Sequence, residues 1–136
     1  MEQPVVFDNT VLVNFSLVGR PSLIHEAWPH SSCTTAWVLQ EYSRGVEEGI
    51  LPAFKWDRLH PADLEEDEIT FAGRLSDSLG RGERSALAVA YHRNGLFASD
   101  DADARREAHV YDIPVTGTIG VLVRLVRREV ISIDRG

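Results

Sequence analysis

Short apolar runs alternate along this chain with longer stretches in which apolar residues recur every three or four positions. Short runs bounded by polar residues are typical of buried strands, and the longer spacing is typical of one face of a helix. The pattern predicts strands at residues 4–7, 31–33, 54–56, 96–99 and 113–115. It predicts helices at residues 10–18, 21–27, 36–43, 61–79, 83–93, 102–109 and 118–128.

Residues that favour helix ends stand at the borders of several predicted helices. Small polar side chains cap the first turn, proline fits a first turn, and glycine ends a helix. The candidate caps are Asn9 or Thr10, Thr34 or Thr35, and Asp100 or Asp101, with Pro61 opening the fourth helix and Gly45 or Gly49 ending the third.

The alternation of strands and helices predicts an α/β sandwich around a mostly parallel sheet. No internal repeat or linker interrupts the pattern, so residues 1–136 are expected to form one domain. Ligands of open α/β sheets bind beyond the carboxyl ends of the strands. Asp8 and Asp100–Asp101 follow predicted strands at that end.

Composition narrows the classes of protein that this chain can represent. A net charge of −7 argues against general nucleic-acid binding through a basic surface, although it leaves a nuclease possible. No apolar run reaches the length of a membrane span, and the N-terminus lacks a signal-peptide pattern. Cys33 is the single cysteine, which excludes an internal disulfide. These features predict a cytoplasmic protein in which Cys33 is a buried structural thiol.

Acidic residues stand where predicted strands end or on predicted helices, from one end of the chain to the other. A carboxylate in such a buried position is costly unless a positive charge meets it. Several carboxylates brought together favour a divalent cation, since Mg²⁺ prefers oxygen ligands. The candidates are Asp8, Glu41, Glu83 and the pair Asp100–Asp101.

Five segments carry a resemblance to a known family. The chain resembles PIN-domain proteins of the VapC-like ribonuclease type, over nearly everything from Val5 to Ile131. The segments are Val5–Thr10, Thr35–Glu41, Gly82–Ala90, Ser99–Arg105 and Val115–Leu122. None is specific alone, but their order and spacing are specific together. The resemblance implies a three-layer α/β/α sandwich and an Mg²⁺- or Mn²⁺-dependent endoribonuclease acting on RNA.

The resemblance also implies roles for individual residues. Asp8, Glu41, Glu83 and Asp101 would form the catalytic set, and Asp8, Glu83 and Asp101 would bind the metal. Many PIN domains place aspartate where this chain has Glu83. The possible auxiliary residues are Asn9, Ser99, Asp100 and Asp103, and sequence does not separate Asp100, Asp101 and Asp103 as the fourth acid.

Partners and alternatives follow from the same resemblance. Many such proteins are toxins that pair with a small antitoxin protein, and homodimers are usual. Candidate RNA-backbone contacts are Arg81, Arg84 and Arg105, whereas burial explains the tryptophans better than base stacking does. The acidic run 63–68 suits a helix N-terminus and needs no chemistry. The main alternative is a catalytically inactive PIN-like binding module.

Overall fold

Five parallel strands form the central sheet of the computed structural model, which describes residues 3–132. The predicted domain, residues 1–136, extends past this range at both ends. The strands lie in the order β3-β2-β1-β4-β5, which puts β1 in the middle. Their bounds are β1 Val5–Phe7, β2 Ser32–Thr35, β3 His60–Ala62, β4 Leu96–Ala98 and β5 Val115–Thr116. The mostly parallel sheet predicted above is therefore confirmed, and every described strand pair is parallel.

Seven helices within residues 3–132 cover the sheet. Their bounds are α1 Asn9–Leu17, α2 Leu23–Ala27, α3 Ala36–Glu47, α4 Glu66–Arg74, α5 Arg81–His92, α6 Ala102–Val110 and α7 Thr118–Arg127. Helix α5 contacts β1, β2 and β4 and packs with α3, α4 and α6, while α1, α2 and α7 pack together. The result is the three-layer α/β/α fold that the sequence predicted.

The core lies between the sheet and these helices. Val6, Phe7 and Phe97 of the two central strands have no exposed surface. Ala86–Ala90 of α5 are almost as deeply buried, because small and branched side chains let the helix approach the strands closely. This packing fixes the carboxyl ends of β1 and β4 beside each other, with Phe7 level with Ala98.

The segment between α3 and α4 departs most from the predictions. Residues 54–56 form no strand; Trp56 instead packs edge-on against Tyr42 and Phe54, with ring centroids 5.3 and 4.6 Å apart. The strand lies later, at His60–Ala62, and it contains Pro61, which was predicted to open a helix. A proline is tolerated there because β3 is an edge strand that can spare an N–H donor.

Helix α4 is also shorter than predicted at both ends. It begins at Glu66, because Glu68 folds back and accepts a 2.8 Å hydrogen bond from the backbone N–H of Glu65. It ends at Arg74, so the predicted helical face through Leu75 and Leu79 is wrong beyond that point. Leu75 and Leu79 are buried nonetheless, from irregular backbone.

Several helix ends are settled by side-chain caps. Asp8 itself caps α1, so the prediction of Asn9 or Thr10 is wrong. Thr35 caps α3 and Asp101 caps α6. Each is one of the two candidates that the sequence offered for that helix. Helix α3 continues through Gly45 and ends just before Gly49, whose positive φ of 75° marks the turn.

Candidate active site

Asp8 stands at the carboxyl end of the central strand and is only 1% exposed. Its Oδ2 accepts hydrogen bonds from the hydroxyls of Ser99, at 2.7 Å, and Thr10, at 3.3 Å. Its Oδ1 accepts a 2.8 Å bond from the backbone N–H of Asn9. Burial raises the pKa of Asp8 because a charged carboxylate loses its water, and these bonds offset the rise only in part.

Ser99 connects the end of β4 to Asp8. Its side chain is fully buried, and its hydroxyl donates to Asp8 while accepting a 3.1 Å bond from the backbone N–H of Asp101. One hydroxyl therefore orients two acidic residues that lie 93 positions apart, as the numbers 8 and 101 show. The prediction that Ser99 assists the site agrees with this placement.

Glu83 reaches the same region from the first turn of α5. Its Oε1 accepts a 2.8 Å bond from the backbone N–H of Gly80, which fixes the start of the helix. The pKa of Glu83 is raised to about 7, first by burial and then by the negative charges of Asp8 and Asp101. The Asp101 carboxyl is also close enough to share a hydrogen bond with Glu83. Glu83 and Asp101 are thus direct neighbours.

Glu41 approaches from α3 and packs against the first turn of α5. Its Oε1 is buried and has no hydrogen-bond partner among residues 3–132. Burial raises the pKa of Glu41 and the charge of Asp8 raises it further, while the charge of Arg44 and the nearby backbone N–H of Gly82 lower it only partly. Gly82 permits this approach, since a Cβ at that position would overlap Glu41 Oε1.

Asp101 completes the group from the start of α6. Its Oδ2 accepts a 2.8 Å bond from the backbone N–H of Ala104, so the side chain caps the helix. Its charge raises the pKa values of both Asp8 and Glu83. The structure therefore brings together the four acids singled out by the sequence. We call them the acidic cluster: Asp8, Glu41, Glu83 and Asp101.

The acidic cluster has the donor chemistry of a site for a hard divalent cation. Within residues 3–132 no three His, Cys, Asp or Glu side chains are gathered tightly enough to hold a metal ion as they stand. Two buried acceptor oxygens, Glu41 Oε1 in the middle of α3 and Asn9 Oδ1 directly after Asp8, nevertheless lack any partner in that range. A divalent cation would reduce the repulsion among the carboxylates and would give the two oxygens a positive partner. The residues present therefore fit Mg²⁺ or Mn²⁺.

The other predicted acids have different surroundings. The carboxylate of Asp100 accepts bonds from Asn14 Nδ2, at 2.8 Å, and from the hydroxyl and the backbone N–H of Thr118, the latter at 2.8 Å. It thereby joins α1 to the start of α7. Asp103 forms an exposed ion pair with Arg106 at 2.7 Å. Asp101 is therefore the member of this acidic trio that meets the cluster.

The three arginines predicted to contact RNA, Arg81, Arg84 and Arg105, differ in their surroundings. Arg105 donates a 2.7 Å bond to the backbone carbonyl of Ser99, so it supports the end of β4. Arg81 and Arg84 flank Glu83 on α5, and Arg81 is exposed.

Sequence reasoning missed two residues that shape the cluster. Thr10 contacts the carboxylate of Asp8 and accepts a 2.9 Å bond from the backbone N–H of Asp100. Gly82 gives Glu41 its space. Two signals in the sequence could have indicated them. Thr10 carries a hydroxyl two positions after Asp8, and Gly82 directly precedes Glu83.

Two further observations concern the reactivity of Cys33 and the presence of membrane-spanning helices. Burial raises the pKa of the Cys33 thiol to about 11, which keeps it protonated near neutral pH and unsuited to nucleophilic catalysis. Across residues 3–132, no helix is both long and apolar enough to cross a bilayer.

Comparison with known proteins identifies the family. A family model described as the PIN domain matches residues 4–135, so this chain belongs to the PIN-domain family. The fold is similar to the solved structure of VapBC-1 from nontypeable Haemophilus influenzae, with a TM-score of 0.61 and 11% identity. That likeness covers 86% of this chain and 99% of the other. No curated protein sequence matches this chain.

Proposed function

We propose that this protein is an Mg²⁺- or Mn²⁺-dependent endoribonuclease that hydrolyses RNA phosphodiester bonds. One observation carries the proposal: four acids from different elements form a cluster at the carboxyl end of the sheet, and three of them have raised pKa values. Such pairs and clusters of perturbed acids are typical of catalytic sites. Membership of the PIN-domain family supports the same activity.

Each acid has a distinct place in this proposal. Asp8, Glu83 and Asp101 would hold the metal, because the charge of Asp101 raises the pKa of Asp8, the charges of both raise the pKa of Glu83, and a cation would remove that repulsion. When bound, the ion would activate water and stabilise negative charge on the phosphate. Glu41, with its unpartnered Oε1, would orient the attacking water or a metal-bound one. Ser99 and Thr10 would hold Asp8 in position through their hydroxyls.

The proposed biological setting is a toxin–antitoxin pair. The similar fold in VapBC-1 and the family membership support a small antitoxin protein as partner, and a homodimer is part of the same proposal. Co-purification of the protein expressed from its native operon tests both points. Capture of the product of the adjacent gene is expected, and a lone monomer in that experiment would contradict them.

A catalytically inactive PIN-like binding module is the second candidate. It is favoured by the lack, within residues 3–132, of three ligands already gathered around one point. Calorimetric titration with Mn²⁺ separates the two candidates. The nuclease predicts binding heat for the wild type and little for Asp8→Ala, whereas absence of heat from both proteins would favour the binding module.

The direct test of the proposal is cleavage of a labelled RNA by the purified protein. Cleavage is expected with Mg²⁺ or Mn²⁺ and is expected to stop on addition of a chelator. RNA that stays intact with either metal, together with the absence of Mn²⁺ heat, would reject the nuclease.

A further inference from the structure

A small pocket lies between α3, α4 and α5, beside the acidic cluster. Its volume is about 260 Å³, and its walls are mostly apolar. This volume is below the roughly 300–1,000 Å³ of pockets for drug-sized ligands. It suits one planar ring system. The lining residues are Trp37, Leu64, Ile69, Ala72, Gly73, Arg81, Arg84 and Ser85.

The pocket and the acidic cluster share two helices. Trp37 and Glu41 lie one turn apart on the same face of α3, and Arg81 and Arg84 line the pocket from the first turn of α5, the turn that also carries Glu83. The side chains of Thr35 and Ser85 hold the start of α3 against α5 with a 2.6 Å hydrogen bond. A molecule in the pocket would therefore reach the acidic cluster within about one helical turn, 5.4 Å along the axis.

Charge at the pocket is opposite to that of the whole chain. The net charge is −7, yet Arg81 and Arg84 line this pocket. Neither guanidinium forms an ion pair within the described part of the chain, where the pairs found are Arg93–Glu68 and Arg106–Asp103. Unpaired guanidinium groups beside an acidic metal site favour an anionic ligand that spans both, and phosphate groups suit the planar fork of arginine.

We propose that this pocket binds one unstacked nucleobase of the RNA substrate, while Arg81 and Arg84 contact the adjacent phosphates. This subsite proposal rests on the proposed ribonuclease function. The base would enter against Trp37 and the apolar side chains of α4, as bases stack on aromatic residues in single-strand-binding proteins. A base held in a duplex is not free to enter, so the preferred substrate would be single-stranded or looped RNA.

The pocket can be filled without disturbing the fold. Gly73 lines it, and a Cβ built on Gly73 meets no atom within 4 Å. Gly73→Phe adds a ring at the wall of the pocket without a steric clash at Cβ and is designed to block entry, and Gly73→Ala is the matched control that leaves the pocket open. Both variants replace a helical glycine, so neither is expected to lower stability. Circular dichroism and thermal melting verify that both are folded.

The experiment measures RNA binding without cleavage. Fluorescence anisotropy in a metal chelator gives the affinity of each variant for a short single-stranded RNA and for the same strand with abasic positions. Stacking of one base predicts that Gly73→Phe binds the intact strand about 5- to 150-fold more weakly than Gly73→Ala. Gly73→Ala is expected to prefer the intact strand over the abasic one, and Gly73→Phe is expected to lose that preference.

Two results would overturn the subsite. One is equal binding of the intact strand by Gly73→Phe and Gly73→Ala. The other is a Gly73→Phe variant that binds RNA normally but no longer binds its protein partner, which would assign the pocket to a protein side chain.

Cleavage by the wild type separates this proposal from the proposed function. Base-dependent binding by a wild type that cannot cleave would keep the subsite and reject the nuclease. Cleavage by a wild type that does not discriminate abasic strands would keep the nuclease and reject the subsite.

Discussion

Gly82 packs directly against the carboxylate of Glu41, so that a side chain at position 82 would overlap Glu41 Oε1. The overlap falls on the carboxylate end of Glu41, whereas the ideal Cβ would lie at a contact distance of 3.4 Å from the Cα of Val38. The lack of a side chain at position 82 leaves the space that the Glu41 carboxylate occupies. It also brings Glu41 to the acidic cluster.

Gly82→Ala is expected to destabilise the protein by about 1–3 kcal/mol through overpacking. The same change is expected to move Glu41 away from the cluster and reduce RNA cleavage. Gly73→Ala is the matched control, because Gly73 is exposed in α4 and has open space around it. That control is expected to raise stability by about 0.5–1 kcal/mol. Urea unfolding measures both, and equal stability of the two variants would contradict the packing account.

Asp8→Asn is expected to lower RNA cleavage more than about 100-fold, since loss of supporting residues alone typically costs 10–100-fold. The fold is expected to survive, because burial already favours the neutral form of Asp8 and an amide oxygen can still accept from Ser99. Asp103→Asn removes an exposed acid outside the cluster and serves as the control. Full cleavage by folded Asp8→Asn protein would refute the assignment.

Ser99→Ala tests whether Asp8 must be held in place. The change removes the 2.7 Å bond to Asp8 and the acceptor for the backbone N–H of Asp101. Mn²⁺ affinity is expected to fall roughly 10–100-fold. Calorimetry measures it, and Ser99→Thr, which keeps the hydroxyl, is expected to retain more affinity than Ser99→Ala. Identical Mn²⁺ affinities for all three proteins would rule out this role.

The pair between buried Glu68 and partly exposed Arg93 gives the free energy of unfolding a defined pH dependence. Burial by itself would raise the pKa of Glu68, but hydrogen bonds from Arg93 and from the Glu65 backbone outweigh it and hold the pKa below the usual 4.5. A carboxyl with a lowered folded-state pKa stabilises the protein fully above 4.5 and loses that contribution as the pH falls through the folded-state pKa.

Glu68→Gln is therefore expected to cost about 1–3 kcal/mol at pH 7 and much less at pH 3. Asp103→Asn, which breaks an exposed pair, is expected to change stability by less than about 0.5 kcal/mol at both values. Denaturant unfolding at the two pH values provides the measurement. A pH-independent loss for Glu68→Gln would show that its charge is not what matters.

Glu83 gives the stability of the metal-free protein a pH dependence of the opposite sign. Its pKa is raised from 4.5 to about 7, so stability is unaffected below 4.5 and falls as the pH rises from there to about 7. Glu83→Gln is expected to remove that fall. Mn²⁺ is expected to raise the melting temperature of the wild type more at pH 8 than at pH 5, because protons compete with the metal. Melting curves recorded at both pH values, with a chelator and with Mn²⁺, test this prediction. An equal rise in melting temperature at pH 5 and pH 8 would contradict it.

The sequence predicted the fold well because strands and helices depend on local pattern, and the four acids that it singled out remain a prediction for the site. Apolar runs ending at Asp8 and Ser99 indicate strands that end together, and the helical pattern of residues 83–93 appears in the structure as Arg81–His92. The order and spacing of the five segments then indicated the PIN-domain family. None of this required knowledge of distant contacts.

The errors arise where distant contacts override local preference. Residues 54–56 have strand-forming side chains, but Trp56 is more stable packed against Tyr42 than paired in the sheet. Pro61 suits a helix start by itself, and only its edge position in the sheet explains its place in β3. Gly82 is another such case, since its partner Glu41 is 41 positions away, from 41 to 82.

The position of β4 beside β1 has a consequence for synthesis of the protein in the cell. Asp8 depends on Ser99 for its strongest hydrogen bond, and Asp101 follows two residues later. The proposed site therefore cannot assemble until the ribosome has translated the chain through residue 101. A nascent chain that has not yet reached β4 would lack it.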